Sequence, residues 1–318
     1  MIHCVMAAKT ASSGIKTKTP KRPTREARGM HWTVGKVRIT PIVELATTGG
    51  TRFILPQVGP DDVKALPWLV PHFANAEGRL KMAVQSLVVE TPSQRIVVDT
   101  CLGNDKQGRS VPAWNNLHNP FLADMTAAGF PPDSIDMVLC THLHVDHVGW
   151  NTKLVDGKWV PTFANARYVF GAAEYEHWRT HRDSAEHAAV FDDSVQPIAD
   201  AGRAEFVASD QQLSDEITLI PTPGHSPGHM SIHIRSDGAE GLLTGDVAHH
   251  PVQMAYLDWS STADSDPVKS AATRRELFGR FADTPTLVIG GHFNAGYIKR
   301  EGDAFRFDAL AAPSPAGG

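Results

Sequence analysis

The chain has 318 residues, 42% of them hydrophobic and 20% charged, enough apolar material for one large core. Its formal net charge of −5 is uneven: residues 1–30 hold seven basic side chains against Glu26, a local +6, leaving −11 on the remainder, and an acidic body excludes a nucleic-acid channel. No run approaches the roughly 20 apolar residues of a membrane span, so a soluble protein is expected.

Taken in chain order, residues 1–30 lack the apolar stretch of a secretory signal, and their Ser, Thr, Lys and Pro content reads as a disordered basic arm, with Met30 as an alternative start. Strands are expected at 37–45, 84–90 and 95–99, then a helix near 121–128 and a strand over 135–140. A further strand at 166–170 leads into a helical segment from Ala172 to Ala189, in which His177, His181 and His187 form a polar face and Trp178 turns inward. Strands at 217–221, 230–234 and 241–244 follow, then a helix at 268–281, a strand at 286–289 and a hairpin over 297–307 turning at Glu301-Gly302-Asp303. Sheets covered by helices account for this order in one domain over 31–310, with 311–318 a flexible tail. The three cysteines, Cys4, Cys101 and Cys140, are few, odd in number and scattered, which points to a reducing compartment, the cytoplasm, rather than a disulfide framework.

The chemistry concentrates in Thr141-His142-Leu143-His144-Val145-Asp146-His147, three imidazoles and a carboxylate at the end of an apolar strand. Residues two apart on extended chain point the same way, so His142 and His144 converge on one ion while Asp146 and His147, at the turn, reach a second. His225 in Thr222-Pro223-Gly224-His225, Asp246 in Thr244-Gly245-Asp246 and His292 in Gly290-Gly291-His292 each follow an apolar run and stand beside glycine, which lets the backbone turn sharply near an ion. His229 reads as a hydrogen-bonded partner in the His225 loop, and His249 and His250 stand close enough to Asp246 to border the same space. No Gly-x-Ser-x-Gly elbow is present, so Ser226 and Ser231 read as turn and strand residues and not as nucleophiles.

With these seven positions filled, the chain resembles the metallo-β-lactamase fold superfamily, and within it the methyl parathion hydrolase-like branch that neighbours the N-acyl homoserine lactonases. The resemblance runs from about Val37 to Phe307. It implies an α/β fold, a single-domain αββα sandwich, in which His142, His144 and His225 hold one metal, Asp146, His147 and His292 hold the other, and Asp246 bridges them. It also implies that Asp99, in Val97-Val98-Asp99-Thr100, supports the ligands from behind, and that Trp178 stands in the substrate pocket. Two departures set this chain apart: Cys101 and Trp150 occupy positions where the family often has glycine. Trp150 and Phe293 directly adjoin ligand segments and are expected at the pocket.

Imidazoles and carboxylates without a thiolate suit Zn²⁺ and admit Fe²⁺, Mn²⁺ or Co²⁺; two zinc ions per chain are expected. A metal pair ~3.5–4 Å apart can share a hydroxide at neutral pH, because metal lowers the pKa of water from 15.7 to about 7. That hydroxide would attack a carbonyl or phosphorus centre of an apolar or aromatic ester, lactone or phosphotriester, with Asp146 as proton carrier. An iron-dependent oxidoreductase on the same fold, similar to sulfur dioxygenases, and a hydrolytic dehalogenase stay open as alternatives. The expected partner is a small-molecule substrate, and a homodimer is compatible with the sequence.

Overall fold

The computed structural model describes residues 30–182 and 184–310; the expected arm at 1–29 and tail at 311–318 lie outside the described residues. Among the described residues fifteen strands are present: β1 (Trp32–Val34), β2 (Val37–Thr48), β3 (Lys81–Glu90), β4 (Arg95–Val98), β5 (Met137–Leu139), β6 (Thr152–Val155), β7 (Lys158–Pro161), β8 (Arg167–Gly171), β9 (Ala204–Val207), β10 (Ile217–Pro221), β11 (Met230–Ser236), β12 (Ala239–Leu243), β13 (Leu287–Ile289), β14 (Gly296–Glu301) and β15 (Ala304–Ala309). One sheet has the order β1-β2-β3-β4-β5-β8-β9, a second the order β10-β11-β12-β13-β14-β15, and β6-β7 is a separate hairpin. The α-helices are Pro60–Lys64 (α1), Phe121–Ala127 (α2), Val145–Val148 (α3), Ala172–Thr180 (α4), Ala185–Val190 (α5), Gln196–Asp200 (α6), Val252–Ala255 (α7) and Pro267–Phe281 (α8).

Strand alternation explains the four layers. Ile96 and Val98 of β4 and Met137 and Leu139 of β5 join Leu243, Leu287 and Ile289 of the second sheet in a core between the sheets. Their neighbours Val97 and Val138 point the other way, into a core with Phe121 and Met125 of α2. On the far side, Leu242 and Val288 pack with Leu277, Phe278 and Phe281 of α8. Side chains of period two on strands buried on both faces thus produce three apolar layers, with helices outside and two sheets inside. This is the expected αββα sandwich.

The segment expected as one helix from Ala172 to Ala189 is two. Helix α4 ends at Thr180, and α5 restarts at Ser184, whose side chain accepts the amide of His187 as an N-cap. The cap redirects the chain, so that His187 does not continue a polar face with His177 and His181 but lines a cavity with Trp178. The β6-β7 hairpin and the β9 strand are additions to the elements expected from the sequence.

The strands that matter for the site are the parallel ones. β4, β5, β8 and β9 are mutually parallel, as are β12 and β13. Parallel neighbours end on the same side, so the loops after β4 and β5 in one sheet and after β12 and β13 in the other meet at one edge. The loop after β4 crosses the end of α3 closely: the Gly149 amide donates to the Cys101 carbonyl at 2.7 Å and the Trp150 amide to the Thr100 carbonyl at 2.8 Å. A β-carbon on Gly149 would stand 1.9 Å from the Leu102 carbonyl oxygen, a distance only backbone displacement can relieve. Gly149→Ala is therefore expected to destabilise the fold by roughly 3 kcal/mol or more, as overpacking against backbone does at the upper end of its range. Gly279→Ala, in α8 with its nearest new neighbour at 4.0 Å, should instead gain up to about 1 kcal/mol from helix propensity. Urea denaturation of the two variants checks this contrast.

Candidate metal centre

Every ligand candidate stands just beyond a strand end. His142, His144, Asp146 and His147 follow β5, His225 lies between β10 and β11, Asp246 follows β12 and His292 follows β13. The five imidazoles and two carboxylates converge, with His142, His147, His225, Asp246 and His292 buried and His144 and Asp146 partly open. His225 Nε2 lies 3.1 Å from His142 Nε2 and 2.8 Å from His144 Nδ1. Around Asp246 Oδ2 stand His292 Nε2 at 3.0 Å, His147 Nε2 at 3.4 Å and His225 Nε2 at 3.6 Å. Asp146 faces His292 Nε2 at 3.6 Å and His147 Nε2 at 3.7 Å.

The outward-facing nitrogens decide what the inward ones present. Thr141 Oγ1 has a single proton and donates it to Asp99 Oδ2 at 2.9 Å, so it must accept from His142 Nδ1 at 3.0 Å. His147 Nδ1 donates to Asp99 Oδ2, His225 Nδ1 to Asp264 Oδ1 and His292 Nδ1 to the Ala83 carbonyl, at 2.9, 2.9 and 2.8 Å. In each neutral ring the proton is thereby held outside and the Nε2 lone pair points into the centre. The Nε2 lone pairs of His142 and His225, 3.1 Å apart, repel unless a cation lies between them, and ligand nitrogens of a tetrahedral zinc site stand about 3.3 Å apart. His147 Nε2 and Asp246 Oδ1 are buried without a hydrogen-bond partner. Five donor sets follow among the described residues: His142, His144 and His225; Asp146, His147 and His292; His142, His147 and Asp246; and two that include His249, with Asp246 and His292 or with His225 and Asp264. The residues fit a metal pair.

Electrostatics of the protein alone point the same way. Burial pushes His142, His144 and His225 well below the usual imidazole range, aided by neighbouring imidazoles. Burial also opposes charge on His147 and His292, but Asp246 and its fellow carboxylates overcome it, raising His147 well up and His292 to about 9. One half of the centre thus favours neutral donors and the other half attracts positive charge.

The backbone is bent to make these contacts. Asp99 and Cys101 adopt left-handed φ of 54° and 52°, which turns the Asp99 carboxylate toward Thr141 and His147; Cys101 thus holds, at some strain, the conformation a glycine takes without cost. Its thiol and that of Cys140 are buried in the core. His229 accepts the Asp246 amide on Nε2 at 2.9 Å, contacts Thr222 Oγ1 through Nδ1 at 2.8 Å, and is pushed by burial to about 4, hence neutral.

A cavity of about 580 Å³ opens over the centre, bordered by Leu45, Phe53, Met82, Val84, Trp114, Trp178, Val190 and Phe191, with Asp146 and Asp246 at its floor. Trp178 borders this cavity. Trp150 does not: its indole stacks on Phe121 and donates to Glu44 Oε1 at 2.7 Å, behind the cavity wall. Glu44 reaches it because a bulge between Val43 and Leu45 re-aims the side chain. Phe293 is also absent from the wall, packed against Phe73 and Phe307 in the outer core of the second sheet. His249 borders the cavity with Nε2 3.1 Å from Asp246 Oδ2, whereas His250 is in the core, bonded to the Phe73 carbonyl. Sequence reasoning missed Asp264, Trp114 and Phe191. Asp264 lies among Ser, Thr and Ala in a loop where an aspartate ordinarily marks a turn, and only the fold places it 2.9 Å from His225.

Residues 81–292 match the family model described as the metallo-β-lactamase superfamily, and the chain belongs to that family, a metallo-hydrolase. It is 25% identical over 226 residues to the N-acyl homoserine lactonase AiiA of Bacillus thuringiensis subsp. kurstaki, covering 67% of this chain and 82% of that protein. It is 30% identical to the probable metallo-hydrolase YflN of Bacillus subtilis over 35% of this chain and 43% of that protein. Among solved structures, a hydrolase of the β-lactamase superfamily, AbOPH, superposes with TM-score 0.73 at 21% identity over 91% of this chain and 99% of that one. The dizinc quorum-quenching lactonase AidC superposes with TM-score 0.71 at 19% identity and the same coverage. Both likenesses show the fold.

Asp264 fixes the ring of His225, and partners of this kind typically change metal affinity 10–100-fold when altered. Asp264→Asn, which keeps an acceptor but removes the charge, should weaken zinc binding by roughly 10-fold, toward the low end of that range. Competition against a chromophoric chelator measures it.

Proposed function

We propose that this protein is a dinuclear zinc hydrolase of neutral, apolar esters and lactones. The observation that carries the reading is the convergence of inward lone pairs and two carboxylates at the floor of an apolar cavity. His142, His144 and His225 would hold one ion, Asp146, His147 and His292 the other, and Asp246, with imidazoles of both sets around Oδ2, would bridge them. When bound, the pair supplies Lewis acidity and a water acidified from pKa 15.7 to about 7.

The chain's own residues define the rest. The Asp146 side chain keeps 15% of its surface exposed against 3% for Asp246, so Asp146 is the carboxylate able to accept a proton from the reacting water and release it toward the cavity. Phe53, Trp114, Trp178 and Phe191 seat an apolar group above the floor and exclude bulk water. None of the described residues bordering the cavity is Lys or Arg, which disfavours phosphate monoesters and carboxylate-bearing thioesters. The similarity to a lactonase over 67% of the chain supports a lactone as the first substrate to assay. Phosphotriesters, also neutral, satisfy the same cavity. Iron, manganese or cobalt would be accommodated by the same donors.

Two outcomes test the reading. Elemental analysis of zinc-loaded protein should give two ions per chain, with chelation abolishing hydrolysis of an acyl lactone or aryl ester and zinc restoring it; one ion at saturation would refute the dinuclear assignment. Asp146→Asn should lower kcat by ~10²–10⁴-fold, the usual contribution of general acid–base assistance, in a folded protein. Turnover near wild type with both ions bound would remove Asp146 from its role.

A further inference from the structure

We propose that Glu174 is a positioning residue that ties the three-histidine half of the centre, together with the cavity wall at Trp178, to the first turn of helix α4. The inference rests on the two-ion reading above and names what holds one half of it in register.

Glu174 is buried, and its carboxylate accepts four hydrogen bonds. Oε1 accepts the Leu143 amide at 3.1 Å and the Trp178 indole N–H at 2.6 Å. Oε2 accepts the Ser226 hydroxyl at 2.8 Å and the Gly228 amide at 2.8 Å. Leu143 lies between His142 and His144, and Ser226 follows His225 directly. One carboxylate therefore joins the two loops that carry all three imidazoles of this half, and the indole that borders the substrate space. All four donors are neutral, so the group serves to fix geometry and not to pair a charge. Burial raises this carboxyl above the usual range, and the four donors oppose that rise, since a protonated carboxyl would set its own O–H against one of them; the group also stands in the first turn of a nine-residue helix, where negative charge is favoured. The close seat of the loop depends on Gly228, where a β-carbon would stand 2.4 Å from the Glu174 amide nitrogen.

The other half is built differently. His147 leans on Asp99 and His292 on the Ala83 carbonyl, neither of which touches Glu174. Loss of Glu174 should then loosen one half only. A residue that merely stabilised the fold would affect both halves alike.

Glu174→Gln is nearly isosteric but turns an amide N–H₂ toward two donors. Its zinc affinity is measured by chelator competition in two backgrounds: His292→Ala, which leaves the three-histidine half intact, and His142→Ala, which leaves the other half intact. The expected result is a 10–100-fold loss in the first background and none in the second. Metal-free Glu174→Gln should also exchange amide hydrogens faster than wild type in the Leu143 and Gly228 segments. Equal losses in both backgrounds, or none in either, overturn the proposal. Should Glu174→Gln fail to fold, Ser226→Ala removes one of the four donors: a several-fold loss confined to the His292→Ala background supports the proposal, and unchanged affinity there overturns it. Two ions in wild type with no effect of these variants would sink this inference alone, whereas fewer than two ions in wild type would sink the dinuclear reading independently of it.

Discussion

Five imidazoles and two carboxylates crowd one another in the seam between two sheets, and the inward Nε2 lone pairs of His142 and His225 cannot hydrogen-bond to each other. That unsatisfied cluster is the constraint on which the remaining architecture depends. An apolar interior tolerates polar groups only when they are partnered, and a cation would partner the Nε2 lone pairs of His225 and His142, which face each other at 3.1 Å. The outer nitrogens are meanwhile bound to Thr141, Asp99, Asp264 and the Ala83 carbonyl. Rotation of any ring would break an outer bond to relieve an inner repulsion, so the rings stay aimed at the centre.

Local departures from regular backbone gather at this seam. Asp99 and Cys101 hold left-handed φ, β2 carries a bulge at Glu44, and α3 is a single short turn that carries Asp146 and His147. Each re-aims a group that serves the centre: the bulge sends Glu44 to the Leu102 amide and the Trp150 indole, and the Asp99 turn points one carboxylate at both Thr141 and His147. Strain of about 1–3 kcal/mol at such a residue persists only where surrounding contacts over-determine it. The contacts that do so belong to both the β4 and β5 loops, so the two loops are held as one unit.

The cavity supplies discrimination that the ligands do not. Its floor is rich in charge-binding groups and its walls are aromatic and aliphatic, a combination that suits a neutral substrate with a polar reacting bond and an apolar remainder. The walls come from parts of the chain remote from each other in sequence, Phe53 after β2, Trp114 before α2 and Phe191 after α5. Phe53 and Trp114 meet edge to face at 6.0 Å, so variation in either loop would reshape the cavity without touching the metal centre.

The candidate ligand cluster and the sandwich were legible in the chain because both are encoded at short range. His142, His144, Asp146 and His147 are contiguous, the remaining ligands sit beside glycine at strand ends, and alternation on β4, β5, β12 and β13 already sorts side chains into inner and outer layers. The supports and walls were not legible, because nothing local distinguishes them. Trp150 and Phe293 lie close to ligand segments yet face away, Trp150 stacked on Phe121 from the turn Gly149–Asn151 and Phe293 packed on Phe73 and Phe307. Asp264 looks like a turn aspartate and Glu174 like a solvated helix residue until packing brings them to His225 and to the loops beside it. The break between α4 and α5 turned on one Ser184 cap within a run of otherwise helical residues, and that cap sends His187 to the cavity. Sequence by itself determined which atoms could bind metal, through residue type and spacing; tertiary structure alone decided which groups aim them and which close the space above, because aiming and closing are contacts between segments distant along the chain.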